Sequence, residues 1–179
     1  MLKFDPVEHK YTFNGNELTS VTTMLKEVGI IDDRFYVPSA TNRGTLVHKQ
    51  TELLDRGELD WGTVTDETLP YIEAWVNYSR GMNFIGIEEL LFHPLLNYAG
   101  TIDRVSDEYI LDIKTGAKAK WHRLQLTLYG MMWEAKTGEK KKIGCVYLTK
   151  KGTYKFQPYE WDLKTAMAIV RVINWKKSK

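Results

Sequence analysis

The spacing of apolar and polar residues changes period several times along the chain. Residues 10–20, KYTFNGNELTS, alternate around Asn14-Gly15. That pair favours two-residue hairpin loops, whose central positions both need positive φ. Thr19 or Ser20 is then placed to cap a short helix ending near Gly29. After Pro38, SATNRGTLVHKQTELLDRG has helical spacing, with Leu46, Val47, Leu53 and Leu54 as its apolar stripe and Gly57 as its stop. A third helix is predicted from about Asp66 to Arg80, where Pro70 is tolerated because it lies near the N-terminus.

From Phe84 to Pro94 the pattern is that of a strand, followed by strands at about 98–105 and 109–114. WHRLQLTLYGMMWEAKTG is the clearest amphipathic helix and Gly138 closes it. Two more strands are predicted at 142–149 and 153–158, joined through Lys150-Lys151-Gly152. Asp162 then caps a last helix, LKTAMAIVRVINWKK, whose lysines suit its C-terminus. The order strand–strand–strand–helix–strand–strand–helix predicts an α/β or α+β sheet with helices packed on it. With no internal repeat and no Gly/Ser linker, residues 1–179 are predicted to form one domain, a hairpin and helices over 1–83 and the sheet core over 84–179.

Composition narrows the class only modestly. A hydrophobic content of 43% with 27% charged residues suits a water-soluble globular chain. No apolar run approaches the roughly 18 residues of a membrane span. MLKFDPVEHK contains no apolar secretory core. The single cysteine, Cys145, lies in the apolar run IGCVYL; it can form no internal disulfide and cannot alone hold zinc or an iron–sulfur cluster. These features predict a reducing, cytoplasmic setting. Charge adds more. Residues 1–110 hold 9 Lys+Arg against 18 Asp+Glu, a net of −9, whereas residues 111–179 hold 16 against 5, a net of +11. Such asymmetry points to a polyanionic partner for the basic half, or to two halves that neutralise one another when folded.

The stretch GTIDRVSDEYILDIKTG, residues 100–116, carries the candidate chemistry. A turn at Asp107-Glu108, or one over residues 106–109, gives a register in which paired residue numbers sum to 215. Asp103 then falls opposite Asp112, and Lys114 shares their face because strand side chains repeat every two residues. Facing carboxylates repel unless they share a proton or a cation. Aspartates with further oxygen ligands suit Mg²⁺ or Mn²⁺, and a neighbouring ammonium could hold or deprotonate an attacking water. The plainer alternative is a solvent-facing hairpin in which Lys114 pairs with Asp112.

GTIDRV followed by ILDIKTG resembles the PD-(D/E)xK nuclease superfamily, and in particular its RecB-type branch, which includes phage and mitochondrial single-strand exonucleases. RGTLVH resembles that branch's upstream helix motif ending in a histidine, here His48. GIEELLFHP resembles the strand bearing a glutamate, for which Glu88 fits the spacing better than Glu89. LQLTLY resembles the downstream helix motif with Gln125 and Tyr129, and HKYTFNGNELTSVTTMLK the opening of a phage-associated subgroup.

The resemblance implies a restriction-endonuclease-like core, a mixed sheet flanked by helices with an N-terminal helical segment, whose catalytic part is 84–179. It implies a metal-dependent DNA exonuclease acting on single-stranded or free ends and leaving 5′-phosphate and 3′-hydroxyl products. A structure-specific endonuclease and a non-catalytic DNA-binding module are the alternatives. Asp103, Asp112, the Ile113 carbonyl, His48 and Glu88 would hold Mg²⁺ or Mn²⁺, and Lys114 would position water. Gln125 would bond Lys114 or phosphate, with Tyr129 packed behind it. Lys118, Lys120 and Arg123 would meet DNA near the exit of the site, with Trp121 as a base-stacking platform. The four-cysteine iron–sulfur cluster of some relatives is not expected. A helicase or recombination partner, no membrane, and a bacterial or phage-infected cytoplasm complete the expectation.

Overall fold

A computed structural model describes residues 1–32, 34 and 38–178. The hairpin appears as predicted, with β2 (Lys10–Phe13) and β3 (Asn16–Ser20) joined through Asn14 and Gly15, both at positive φ, 52° and 86°. A strand that the pattern did not reveal, β1 (Leu2–Asp5), pairs antiparallel with β2. Four residues are too few for alternation to register before a turn. Ser20 caps α1 (Val21–Glu27), its hydroxyl accepting from the Thr23 amide. Next come α2 (Pro38–Asp55), a single 3₁₀ turn (Trp61–Thr63) and α3 (Leu69–Ser79), with Pro70 in the first turn of α3 as expected. The core follows as β4 (Phe84–His93), β5 (Tyr98–Ser106), β6 (Tyr109–Lys114), α4 (His122–Thr137), β7 (Lys142–Leu148), β8 (Tyr154–Tyr159) and α5 (Leu163–Lys177). No described helix is long and apolar enough to cross a membrane. The last lysine of the terminal WKKSK lies outside the described residues.

All eight strands join one mixed sheet. The N-terminal hairpin is part of it, because β3 runs parallel to β5 and pairs with Tyr98 and Ala99. β6 and β7 are parallel with α4 as the crossover, while β4–β5, β5–β6 and β7–β8 are antiparallel. This is the mixed sheet flanked by helices expected of a restriction-endonuclease-like core. One face packs α1, α4 and α5 around Ile102, Val105, Ile110, Leu128 and Ile169. The other packs α2 and α3 around Val47, Trp75, Leu111, Ile113 and Val146.

Two helix faces depart from the expected stripes. On α2, Leu46 is 42% exposed, and the buried line is Val47, Gln50 and Thr51. Gln50 is accommodated because its amide donates to the Thr63 carbonyl in the 3₁₀ turn. α4 is not a half-exposed amphipathic helix, since every residue from Gln125 to Trp133 is buried between the sheet and its neighbours α1 and α5. Gln125, Thr127 and Tyr129 find internal partners instead of solvent.

One detail of the topology makes the site. Along β5, one edge is taken by β4 at every residue except Asp103. The other edge is shared, with β3 pairing at Tyr98 and Ala99 and β6 pairing at Arg104 and Val105. Residues 100–103 lie between, with no ladder partner on that edge. Asp103 opens into this gap.

Candidate active site

The β5–β6 hairpin has the predicted register, since Arg104 pairs with Leu111 and Val105 with Ile110, each pair summing to 215. The Ser106 hydroxyl accepts the Tyr109 amide and steadies the Asp107-Glu108 turn. The ladder stops there. Asp103 and Asp112 occupy opposite positions one step further on, but they do not face each other as an ordinary cross-strand pair. Asp103 Oδ2 instead accepts the Ile113 amide at 2.7 Å, filling the place of a backbone carbonyl in the open gap. Ile113 thus meets the site through its amide, and its side chain belongs to the α2–α3 core.

Asp103 sits with two residues from other elements. His48 of α2 places Nδ1 3.4 Å from Asp103 Oδ2. Ligand atoms of His48, Glu88 and Asp103 all lie within 4.8 Å of one another, which makes these three a candidate cation-binding group. Glu88 and not Glu89 faces it, because Glu89 pairs with Lys136 on α4 at 3.2 Å. Glu88 reaches this position with a left-handed φ of 52°, which a non-glycine residue seldom adopts within a strand. Arg104 Nη1 donates to Glu88 Oε1 at 3.0 Å, and its Nε donates to Asp55 Oδ2 at 2.6 Å.

Asp112 lies outside this triplet and is only 2% exposed. Its Oδ2 takes the Lys114 ammonium at 2.7 Å and the Cys145 thiol at 3.6 Å. Lys114 also donates to Gln125 Oε1 at 3.0 Å, and Gln125 Nε2 donates to the Tyr129 hydroxyl at 3.0 Å. Lys114, Gln125 and Tyr129 therefore form one chain of hydrogen bonds running from the strand end into α4. The expectation that Lys114 shares a face with both aspartates reduces to a contact with Asp112.

The electrostatics follow from burial and these contacts. Burial pushes Glu88 up, aided by Asp103 and opposed by Arg104 and His48, to about 7. Burial also works to raise Asp103, but His48, Lys114 and the Ile113 amide outweigh it and bring it to about 2. Asp112 is raised by burial despite Lys114. Burial opposes charge on Lys114, yet the two aspartates hold its pKa above the usual lysine value. His48 is likewise raised, because Asp103 outweighs its desolvation. A part-buried group holding two acidic oxygens and an imidazole suits a divalent cation with mixed O/N preference.

The predicted DNA-contacting residues divide. Lys118, Lys120 and Arg123 line an open groove with Leu124, Tyr159 and Asp162 beside the start of α4. Trp121 is not a free stacking platform. It is half-buried, packs against the α4 core, meets His122 edge-on, and lies with its ring centroid 5.4 Å from the Lys114 ammonium. His122, at the start of α4, places Nδ1 2.7 Å from the Tyr147 hydroxyl. The residues that sequence reasoning passed over are Asp55 and Arg104. The pattern gave no reason for an arginine in mid-strand, although Arg104 directly adjoins Asp103.

Comparison with known proteins adds to this geometry. A model described as the PD-(D/E)XK nuclease superfamily matches residues 47–170, a stretch that contains His48, Glu88, Asp103, Asp112, Lys114, Gln125 and Tyr129. No curated protein matches the chain at a significant level. A solved structure from Eubacterium rectale, provisionally described as an exonuclease, is similar at a TM-score of 0.59 and 15% identity, over 89% of this chain and 79% of that one. An alkaline exonuclease from Laribacter hongkongensis aligns at a TM-score of 0.47 and 13% identity, over 89% of this chain and 87% of its own. At 15% identity the first of these likenesses is one of fold.

Proposed function

The chain belongs to the PD-(D/E)XK nuclease superfamily, and from that premise we propose that it is a Mg²⁺- or Mn²⁺-dependent deoxyribonuclease that shortens DNA from single-stranded ends. The observation that carries this reading is the convergence of His48, Glu88 and Asp103, three ligand atoms within 4.8 Å, beside a lysine already fixed on a buried aspartate. A divalent cation held by that triplet would offset charge on the scissile phosphate and ease deprotonation of the attacking water.

The chain's own residues supply the rest. Asp103 stays ionised across the working pH range because His48 and Lys114 hold its pKa down against burial. Asp112 anchors the Lys114 ammonium and is the next carboxylate available to a cation that reaches across the gap. Ile113, whose amide fixes Asp103, offers its carbonyl as a further oxygen ligand. Of the three ammonium protons of Lys114, one goes to Asp112 and one to Gln125. The third can orient a water for in-line attack. The raised pKa of Lys114 makes it a donor and not a base, so it steers the water and the charge growing on phosphate oxygens instead of accepting a proton. Gln125 and Tyr129 hold the lysine in place.

Digestion of linear strands labelled at either end, beside circular single-stranded and duplex controls, tests the reading. Mg²⁺ or Mn²⁺ should release labelled mononucleotides or short oligonucleotides from linear single strands and leave circles intact. Robust cleavage in EDTA would overturn the metal mechanism, and cleavage of circles would turn the reading toward an endonuclease.

A further inference from the structure

Behind the three candidate ligands lies a buried charge that the proposed reaction does not use. Arg104 has no exposed surface. Its Nε donates to Asp55 Oδ2 at 2.6 Å, and its Nη1 donates both to Glu88 Oε1 and to the backbone carbonyl of Asp103. Asp55 is itself held by the Trp75 indole, whose Nε1 lies 3.0 Å from each carboxylate oxygen. The Trp75 ring lies under the guanidinium at 5.6 Å.

The strands are bent to bring this about. Ile102 and Val105 are three residues apart, yet both belong to the core on the α4 side. Regular alternation cannot give that, and between them Asp103 and Arg104 both turn toward α2, where they meet His48 and Asp55. On β4 the matching irregularity is at Glu88, with its φ of 52°. Gly86 and Glu89, also three apart, again share one side, since a Cβ on Gly86 would lie 2.5 Å from Glu89 Cγ.

A buried ion pair is poor evidence of a device for stability, because apolar side chains of similar size often serve as well. Asp55 is also the last residue of α2, where a carboxylate opposes the helix dipole. The guanidinium does something that an apolar side chain cannot. It ties together the three elements that carry the three ligands: α2, through Asp55, seven residues and two turns from His48; β4, through Glu88; and β5, through the Asp103 carbonyl.

We propose that Arg104, anchored by Asp55, is a positioning residue that holds Glu88 and Asp103 converged with His48 as one cation-binding group. The inference rests on the cation reading given above, so the test measures Mn²⁺ binding directly, by calorimetry and by the paramagnetic spectrum of the free ion, without DNA. Arg104→Lys keeps the positive charge but cannot reach all three partners. It should weaken Mn²⁺ binding by about 10- to 100-fold, the range for lost outer contacts of a metal site. Because Arg104 acts in part through Glu88, the loss in Arg104→Lys/Glu88→Gln should be smaller than the product of the two single losses. Unchanged Mn²⁺ affinity in folded Arg104→Lys, or losses that multiply in the double variant, would show a merely structural role and overturn the proposal. If Arg104→Lys does not fold, Asp55→Asn takes its place. It frees the guanidinium from its anchor and should weaken Mn²⁺ binding several-fold; wild-type affinity there would equally overturn the proposal. Wild-type affinity in Glu88→Gln would instead remove the premise, and so separates failure of the cation reading from failure of the positioning role.

Discussion

Lys114 meets Asp112 and Gln125 with its ammonium and Trp121 with one side, so its orientation is set before any substrate arrives. Removing it and removing Asp112 should therefore differ in kind. Asp112→Ala should abolish cleavage. Lys114→Ala should lower turnover by roughly 10²–10³, the cost of one transition-state donor, while Mn²⁺ binding at His48, Glu88 and Asp103 stays nearly intact. Wild-type turnover in Lys114→Ala would remove the lysine from the chemistry. His122 gives a second test at this scale, through stability. Burial, with Lys114 adding to it, pushes this histidine down to about 3, and its Nδ1 is occupied by Tyr147. In the unfolded chain it titrates near 6.5, at about the usual value. Between the two values the unfolded state binds the extra proton, so this contribution is fully present above about 6.5 and is lost as pH falls toward 3. Glu88, raised to about 7, works in the opposite sense, its contribution fading as pH rises. The decisive quantity is thus a difference between proteins. From pH 7 to 4.5 the melting temperature of the wild type should fall more than that of His122→Gln, and parallel curves would show that the burial of His122 has no titration consequence.

Elements carry the parts of the site that local pattern reveals and those that it hides. The β5–β6 register was legible because a two-residue turn between β-rich runs leaves few pairings, and Arg104 opposite Leu111 is the pairing it implied. The cap at Ser20, the stop at Gly138 and the crossover α4 were legible for the same local reasons. The left-handed Glu88 was not, because nothing in FIGIEELLFH marks a break in alternation; its partner there, Arg104 of β5, is held by Asp55 of a helix more than thirty residues away. The buried polar line of α2 and the fully buried middle of α4 were also hidden, since a polar residue with an internal partner looks in sequence like one facing water. α4 is also where an element-scale change should reach the chemistry. A Cβ on Gly100 would lie 2.8 Å from Tyr129 Cε1 and 3.2 Å from the Met132 methyl, in the middle of the packed face. Gly100→Ala should cost about 1–3 kcal/mol as overpacking and, by moving Tyr129, loosen Gln125 and Lys114 and lower turnover. At Gly44 of α2 an added Cβ would meet only Thr115 Oγ1, at 3.5 Å. Gly44→Ala should leave stability unchanged or slightly raised, and equal losses in the two variants by thermal melting would show that the Tyr129 contact is not what matters.

At the scale of the molecule, the two oppositely charged halves of the chain are woven into one fold, since β5 of the acidic half pairs with β6, α3 of the acidic half packs on β7 and β8, and α4 of the basic half packs on β4 and α1. Charge is therefore not split into two lobes, and its effect depends on where basic side chains gather. One such place is the open groove lined by Lys118, Lys120 and Arg123. Trp121, next to Lys120 in the chain, has its ring centroid 5.4 Å from the Lys114 ammonium, so the groove's basic residues adjoin in sequence a residue that touches the candidate site. Arg123 is held in place by the Glu160 carbonyl, and Lys118 by Gln157 at 2.7 Å, so the groove presents its charge in a fixed arrangement. Phosphates neutralised there release condensed counterions, and affinity for single-stranded DNA should fall with salt at a log–log slope of about −0.7 for each phosphate contacted. Calcium allows this to be measured without turnover. It is larger than Mg²⁺ and holds in-line geometry poorly, so it should support binding but not cleavage. Under those conditions Lys118→Ala/Lys120→Ala should weaken binding to every sequence alike and reduce the magnitude of the slope by about 0.7 for each lysine that meets a phosphate. Turnover at saturating DNA should be unchanged, because neither lysine touches His48, Glu88, Asp103 or Asp112. A slope unaffected by the double substitution would place the strand elsewhere on the molecule. A flat dependence in the wild type would mean that the basic half answers the acidic half and not a nucleic acid.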